Sequence, residues 1–113
     1  MKDRRIITKN HQYWIPLERY KELRYFCLQY DYYRQKSSIL FANDPNRYSK
    51  YDEYCRMIED SVKTIGKDAI YILKKVTTDE SYDQLVKDGL ATDKTYFLIE
   101  MYKFFWILDK LRK

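Results

Sequence analysis

Two glycines and two prolines in 113 residues leave few sites for tight turns. Sandwiches and barrels need many such turns, so neither is the expected architecture. The two glycines, Gly66 and Gly89, stand alone, and no glycine-rich loop is present to cradle a phosphate. Only one histidine occurs, His11, and the two cysteines, Cys27 and Cys55, lie far apart without a CxxC. A zinc site is therefore not expected, and reduced thiols in the core are the expected state. No apolar run approaches the length of a membrane span. The opening residues MKDRRIITKNH lack an apolar stretch, so no export signal is expected and a cytoplasmic protein is. Acids that pair in sequence, Asp52 with Glu53 and Glu59 with Asp60, point in different directions on a helix and do not form an acid–base couple. Without a nucleophile–base constellation, the expectation is a non-catalytic protein that needs no cofactor.

What the chain does contain fits helices. Its length suits one domain spanning 1–113. Hydrophobic residues make up 45%, enough for a core, and charged residues 35%, enough for long solvated faces. The apolar share is strongly aromatic, with 13 Tyr, 5 Phe and 2 Trp. Tyrosine buries a ring and keeps its hydroxyl wet, so these side chains suit the boundary between core and water. The net charge of +5 is unevenly placed. Residues 1–36 hold nine Lys/Arg against four Asp/Glu, and the remainder is balanced at thirteen of each.

Along the chain, residues 1–15 read as a basic, mostly irregular arm docked by Tyr13, Trp14 and Ile15. Pro16 suits the first turn of a helix. From Leu17 the spacing of Tyr20, Leu23, Cys27 and Tyr30, flanked by Phe26 and Tyr33, predicts one helix that fades near Ser37–Ser38 or runs to Phe41. Ala42 to Asn46 is the clearest loop signal. Tyr51, Tyr54, Cys55, Ile58, Val62 and Ile65 predict a second helix that stops at Gly66 and folds back on the first as an antiparallel hairpin over 16–66. A shorter helix follows over Lys67–Val76, then a polar break over residues 77–81, where Ser81 or Asp79 can cap the next element.

The last third is the informative part. Tyr82, Leu85 and Val86 lie on one side of a short helix, and Gly89 can take the positive φ that ends it. Thr92 or Asp93 can cap a long helix whose Phe97, Met101, Phe104, Leu108 and Leu111 form an apolar stripe, widened by Leu98 and Phe105. Its outer face carries Lys94, Thr95, Tyr96, Glu100, Lys103 and Lys110. Helix, glycine turn and helix give the outline of a helix-turn-helix, within a bundle of about five helices. From Thr78 to Lys113 there are six basic and seven acidic residues. Phosphate contacts need Lys and Arg, so the N-terminal half or a second chain is expected to supply them.

The segments ERYKELRYFCLQYDYY (Glu18 to Tyr33), YILKKVT (Tyr71 to Thr77), SYDQL (Ser81 to Leu85) and YKFFWILDKLRK (Tyr102 to Lys113) together resemble a small helical family of Gram-positive prophages. These proteins are similar to phage late-gene transcriptional activators of the RinA/ArpU type, with a C-terminal helix-turn-helix like the DNA-reading domain of sigma factors. The resemblance covers most of the chain, in order, and its motifs are hydrophobic. It implies an all-α fold and double-stranded DNA as partner, with RNA polymerase as a further one. By position, the family's basic recognition face falls on Lys94, Tyr96, Glu100, Tyr102 and Lys103, of which two are basic here.

The leading expectation is thus a DNA-binding transcriptional regulator. Lys94, Thr95, Tyr96 and Lys103 would face the duplex, and Arg4, Arg5 and Lys9 would contact its backbone. The alternative is a phage-borne adaptor or inhibitor of a host protein, suggested by the tyrosine-rich surface and the neutral last third. A homodimer is compatible with either. One stripe cannot bury Phe104, Phe105 and Trp106 together, so Trp106 with Ile99 and Ile107 is expected to be exposed or covered by a second chain.

Overall fold

The helices begin and end largely where side chains can satisfy the terminal backbone groups. The computed structural model describes residues 5–46 and 49–113. Among these it has six helices and no strand: α1 Leu17–Leu28, α2 Tyr30–Asn43, α3 Lys50–Lys63, α4 Ala69–Thr78, α5 Tyr82–Lys87 and α6 Lys94–Leu111. The chain is an all-α bundle, as its periodicity predicts. No helix among the described residues is long and apolar enough to cross a membrane.

The expected first helix is two. Gln29 interrupts it with φ −95° and ψ 10°. Its side-chain amide donates to the carbonyl of Tyr25 at 3.4 Å, the acceptor its own backbone N–H would use in a continuous helix. That N–H turns to Phe26 instead, and the ladder resumes when Tyr33 N–H donates to the Gln29 carbonyl at 3.0 Å. The helix also runs past Phe41, so Ala42 and Asn43 belong to α2 and the loop begins at Asp44. There the Asp44 carboxylate accepts from Asn46 N–H, a short Asx-type turn.

Ser49 opens α3 by accepting from Tyr51 N–H, and Gly66, at φ +95°, lies just beyond its end. α4 lasts two residues longer than expected, through Thr78. Thr77 and Thr78 turn their hydroxyls onto the carbonyls of Leu73 and Lys74, so they remain helical. Asp79 then ends α4 in the left-handed region, φ 58°, the only described residue other than glycine to do so. Ser81, rather than Asp79, caps α5 by accepting from Gln84 N–H.

The turn at Gly89 is as expected. Its φ is +120°, and Leu90 N–H closes the α5 end on the Leu85 carbonyl. A Cβ at Gly89 would lie 2.7 Å from the Tyr71 hydroxyl, so glycine also allows α5 to approach α4. Asp93, the second of the two candidate caps, accepts from Tyr96 N–H and starts α6.

α6 runs through the core and touches α1, α3 and α4. Phe97, Met101, Phe104, Phe105 and Leu108 are buried as expected, whereas Leu111 is exposed. Tyr102 is buried too, against Tyr20 from α1. α2 and α3 form the antiparallel hairpin: the Tyr30 hydroxyl donates to Glu59 near one end and Ser37 to Asp52 toward the other. Tyr33 of α2 packs against Phe26 of α1 and Tyr54 of α3. Cys27 and Cys55 are buried free thiols, and burial raises both above the ordinary thiol pKa.

Candidate functional site

The first turn of α6 and the N-terminal arm meet on one side of the bundle. Lys94, Thr95 and Tyr96 are exposed at the helix start, Tyr96 at 59%. The Asp93 cap fixes where that turn begins. The preceding loop is held twice more. The Tyr82 hydroxyl donates to the Thr92 carbonyl at 2.7 Å, and the Thr92 hydroxyl donates to Asp68 at 2.6 Å. One turn further along, Ile99 and Lys103 are half-buried and share a cleft of about 280 Å³ with Gln12 and Tyr13 of the arm and Ile65 after α3.

The arm covers more of α6 than its composition suggests. Ile7 and Ile15 are buried in the core, and Trp14 packs against it. Tyr13 lies 5.5 Å from Trp106, ring centre to ring centre, and the Lys110 ammonium stands 3.3 Å from the centre of the same ring. Trp106, Ile99 and Ile107 are half-buried, and Tyr13 of the arm and Lys110 cover part of the Trp106 ring.

Of the three expected backbone contacts, Arg4 lies outside the described residues. Arg5 is not an outward cation: its guanidinium sits 5.4 Å from the Trp14 ring and 5.1 Å from the Tyr20 ring, and the residue is half-buried. Its rigid planar charge stacks well on aromatic faces, which draws it inward. Lys9 is exposed.

Much of the remaining N-terminal basic excess is also engaged within the chain. Arg19 donates to Asp109 at 2.6 Å, and Asp109 is buried in α6. Hydrogen bonding and charge from Asp109 raise the Arg19 pKa still further. Arg24 donates to Asp79 at 2.7 Å, with Lys75 on the other side of that carboxylate. The Asp79 pKa is lowered despite the opposing effect of burial, because these two cations outweigh it. Arg5, Arg19 and Arg24, three basic residues of the N-terminal half, are thus engaged within the chain. Each finds an aromatic face or an acid within the bundle.

One feature of the face is absent from any local sequence signal. Glu100, between Tyr96 and Lys103, lies near the carboxyl group of Asp68 at the start of α4, and among the described residues its buried Oε1 has no hydrogen-bond partner. Asp68 is 5% exposed. Desolvation, followed by the Asp68 hydrogen bond and charge, pushes the Glu100 pKa up to about 7, against the pull of Lys67 and Lys103. The two acids lie 32 positions apart in sequence, and nothing in either neighbourhood marks them as a pair.

Chemically, the exposed turn offers one ammonium, one aliphatic hydroxyl and one phenol on a rigid helix start. That set can neutralise a phosphate and exchange hydrogen bonds, but it carries no activated nucleophile. Fold and site define a small all-α bundle whose last helix is core along most of its length and surface at its first turn. Set against protein-family models, curated proteins and solved structures, the chain finds no match in any of the three.

Proposed function

We propose that this protein is a non-catalytic, phage-type transcriptional regulator that binds double-stranded DNA through the start of α6. The observation that carries the reading is the exposure of Lys94, Thr95 and Tyr96 on a capped helix start that follows a glycine turn. Helix-turn-helix proteins contact bases with the first residues of the second helix. Lys94 and Lys103 neutralise phosphates, Thr95 and Tyr96 reach base edges or phosphate oxygens, and Lys9 adds a backbone contact from the arm. The resemblance to RinA/ArpU-type activators supports the same reading and adds RNA polymerase as a partner. With few free cations on this face, binding is expected to be modest and strongly salt-dependent.

Gel-shift titration at two salt concentrations, with phage promoter duplexes and an unrelated duplex, tests it. Lys94→Ala should weaken binding of every duplex and flatten the salt dependence, while Tyr96→Ala should act chiefly on the preferred sequence. A protein that shifts no duplex at low salt and micromolar concentration would remove the proposal.

A second reading, an adaptor or inhibitor that binds a host protein, has its own observation. An open, mainly apolar cleft of about 380 Å³ lies between α2 and α4, bordered by Tyr30, Tyr71 and Leu73, with Ile70 strongly exposed beside it. Recovery from host lysate of a stoichiometric protein partner that survives nuclease treatment would favour this reading over the first.

A further inference from the structure

Three helices meet on one side of the bundle. α1 packs on α4 and α6, and α4 packs on α6. Their junction holds a recessed cleft of about 210 Å³. Its floor is apolar: Val76 of α4 and Met101 and Phe105 of α6 line it and are 3%, 5% and 1% exposed. Leu28 and Leu98, less deeply buried, line it as well. Its rim is charged. Arg24 of α1 borders the cleft together with Lys75 and Asp79 at the end of α4, and the Arg24 and Asp79 side chains are 45% and 48% exposed. A cleft between bundle helices, apolar inside with a few polar groups at one end, is the usual form of a small-molecule site.

Size and charge select the ligand. A dry apolar cavity of about 150 Å³ takes benzene, so this cleft has room for one ring and a short polar arm. The Met101 thioether and the Phe105 ring suit an aromatic body. At the rim two cations share one acid. Arg24 donates to Asp79 through one terminal nitrogen at 2.7 Å, and Lys75 lies 3.4 Å from the other carboxylate oxygen. Among the described residues neither cation has a second acidic partner. The rim therefore carries a net single positive charge, and the planar fork of Arg24 has further N–H donors that match a carboxylate. The carbonyls that end α4 add partial negative charge, which disfavours a dianion. Tyr20 lines the cleft too; burial above all raises its pKa to about 12, so its hydroxyl stays protonated as a donor.

We infer that the junction of α1, α4 and α6 is a binding site for a small aromatic carboxylate, with its ring on Val76, Met101 and Phe105 and its carboxylate on Arg24. The ligand's carboxylate competes with Asp79 for that guanidinium. Asp79 stands between the two cations at the left-handed end of α4, φ 58°. Asparagine also tolerates that backbone conformation, so the competing charge can be removed without reshaping the rim. This site is separate from the exposed start of α6 and does not depend on DNA binding.

Titration of the full chain with phenylacetate, followed by NMR through the methyl signals of Val76, Leu98 and Met101, tests it. Those signals should shift and saturate with a Kd below about 1 mM, a reasonable affinity for about ten heavy atoms. Phenethyl alcohol and phenethylamine, of similar size, should bind about tenfold more weakly, because neither gains the charge-assisted bonds to Arg24. Arg24→Gln should weaken phenylacetate about tenfold and leave the alcohol unchanged, a split that a purely structural role would not produce. Asp79→Asn should tighten phenylacetate several-fold. Leu98→Trp should fill the cleft and abolish binding of all three probes, with the helical spectrum retained. The absence of any saturable shift at about 10 mM phenylacetate would overturn the inference. So would equal or tighter binding of the alcohol or the amine, or an Asp79→Asn protein that binds phenylacetate no better than the wild type.

Discussion

The two ends of α6 differ in kind although they belong to one helix. Its C-terminal half packs one side into the core: Phe104 and Leu108 are fully buried, and Asp109 is held by Arg19 from α1 and by Lys113. Its first turn is surface, with Lys94, Thr95 and Tyr96 exposed behind an Asp93 cap. The C-terminal end anchors the helix in the bundle, which lets the N-terminal end present side chains from a rigid base. A loop could carry the same three residues, but it would have to be ordered when it met a ligand, at an entropic cost.

Substitutions at the two ends should separate stability from binding. The largest effect is expected from Phe104→Ala, which empties the centre of the core and should lower stability by about 3–5 kcal/mol in denaturant unfolding. Asp109→Ala comes next. It leaves the Arg19 guanidinium, 28% exposed, without its main partner at the edge of the core, and should cost about 1–3 kcal/mol in the same measurement. Asp93→Ala removes the cap at the start of the surface end and should cost about 1 kcal/mol. Lys94→Ala should change stability by less than about 0.5 kcal/mol while weakening retention of duplex DNA. If Lys94→Ala destabilised the fold as much as Asp109→Ala, the two ends would not be distinct.

Glu100 sits between these regions and adds a pH dependence. Its pKa in the folded protein is raised from 4.5 to about 7, so the folded state binds more proton than the unfolded chain between those values. Stability from this group is therefore fully present below pH 4.5, falls as the pH rises through about 7, and is absent above it. A series of thermal melts from pH 5 to pH 8 should show a decline in the wild type that Glu100→Gln removes. Equal declines in both proteins would show that the carboxyl pair with Asp68 is not its source.

How much of this was legible in the sequence varies by residue. The α6 stripe from Phe97 to Leu108 was readable because burial on a helix repeats with its turn. So were Gly89 as a stop and, to within two candidates each, the caps that proved to be Ser81 and Asp93, since each acts within a few residues of itself. The break at Gln29 was not readable: glutamine is an ordinary residue in the middle of a helix, and nothing in its sequence neighbourhood marks the side-chain bond to the Tyr25 carbonyl that accompanies the break. The fate of the arginines was hidden for a different reason. Arg19 and Asp109 are 90 positions apart, and Arg24 and Asp79 are 55 apart, so a count of charges along the chain could not tell a free cation from a paired one.

The amino-acid order by itself determined the helical class, most of the helix limits and the polar start of α6. Those features arise from hydrogen bonds and side-chain spacings that span one or two turns. Only the tertiary structure decided that the arm lies over Trp106, that Arg5 turns inward and that Glu100 lies near Asp68. These follow from which helix faces meet, and that choice depends on packing the whole core at once.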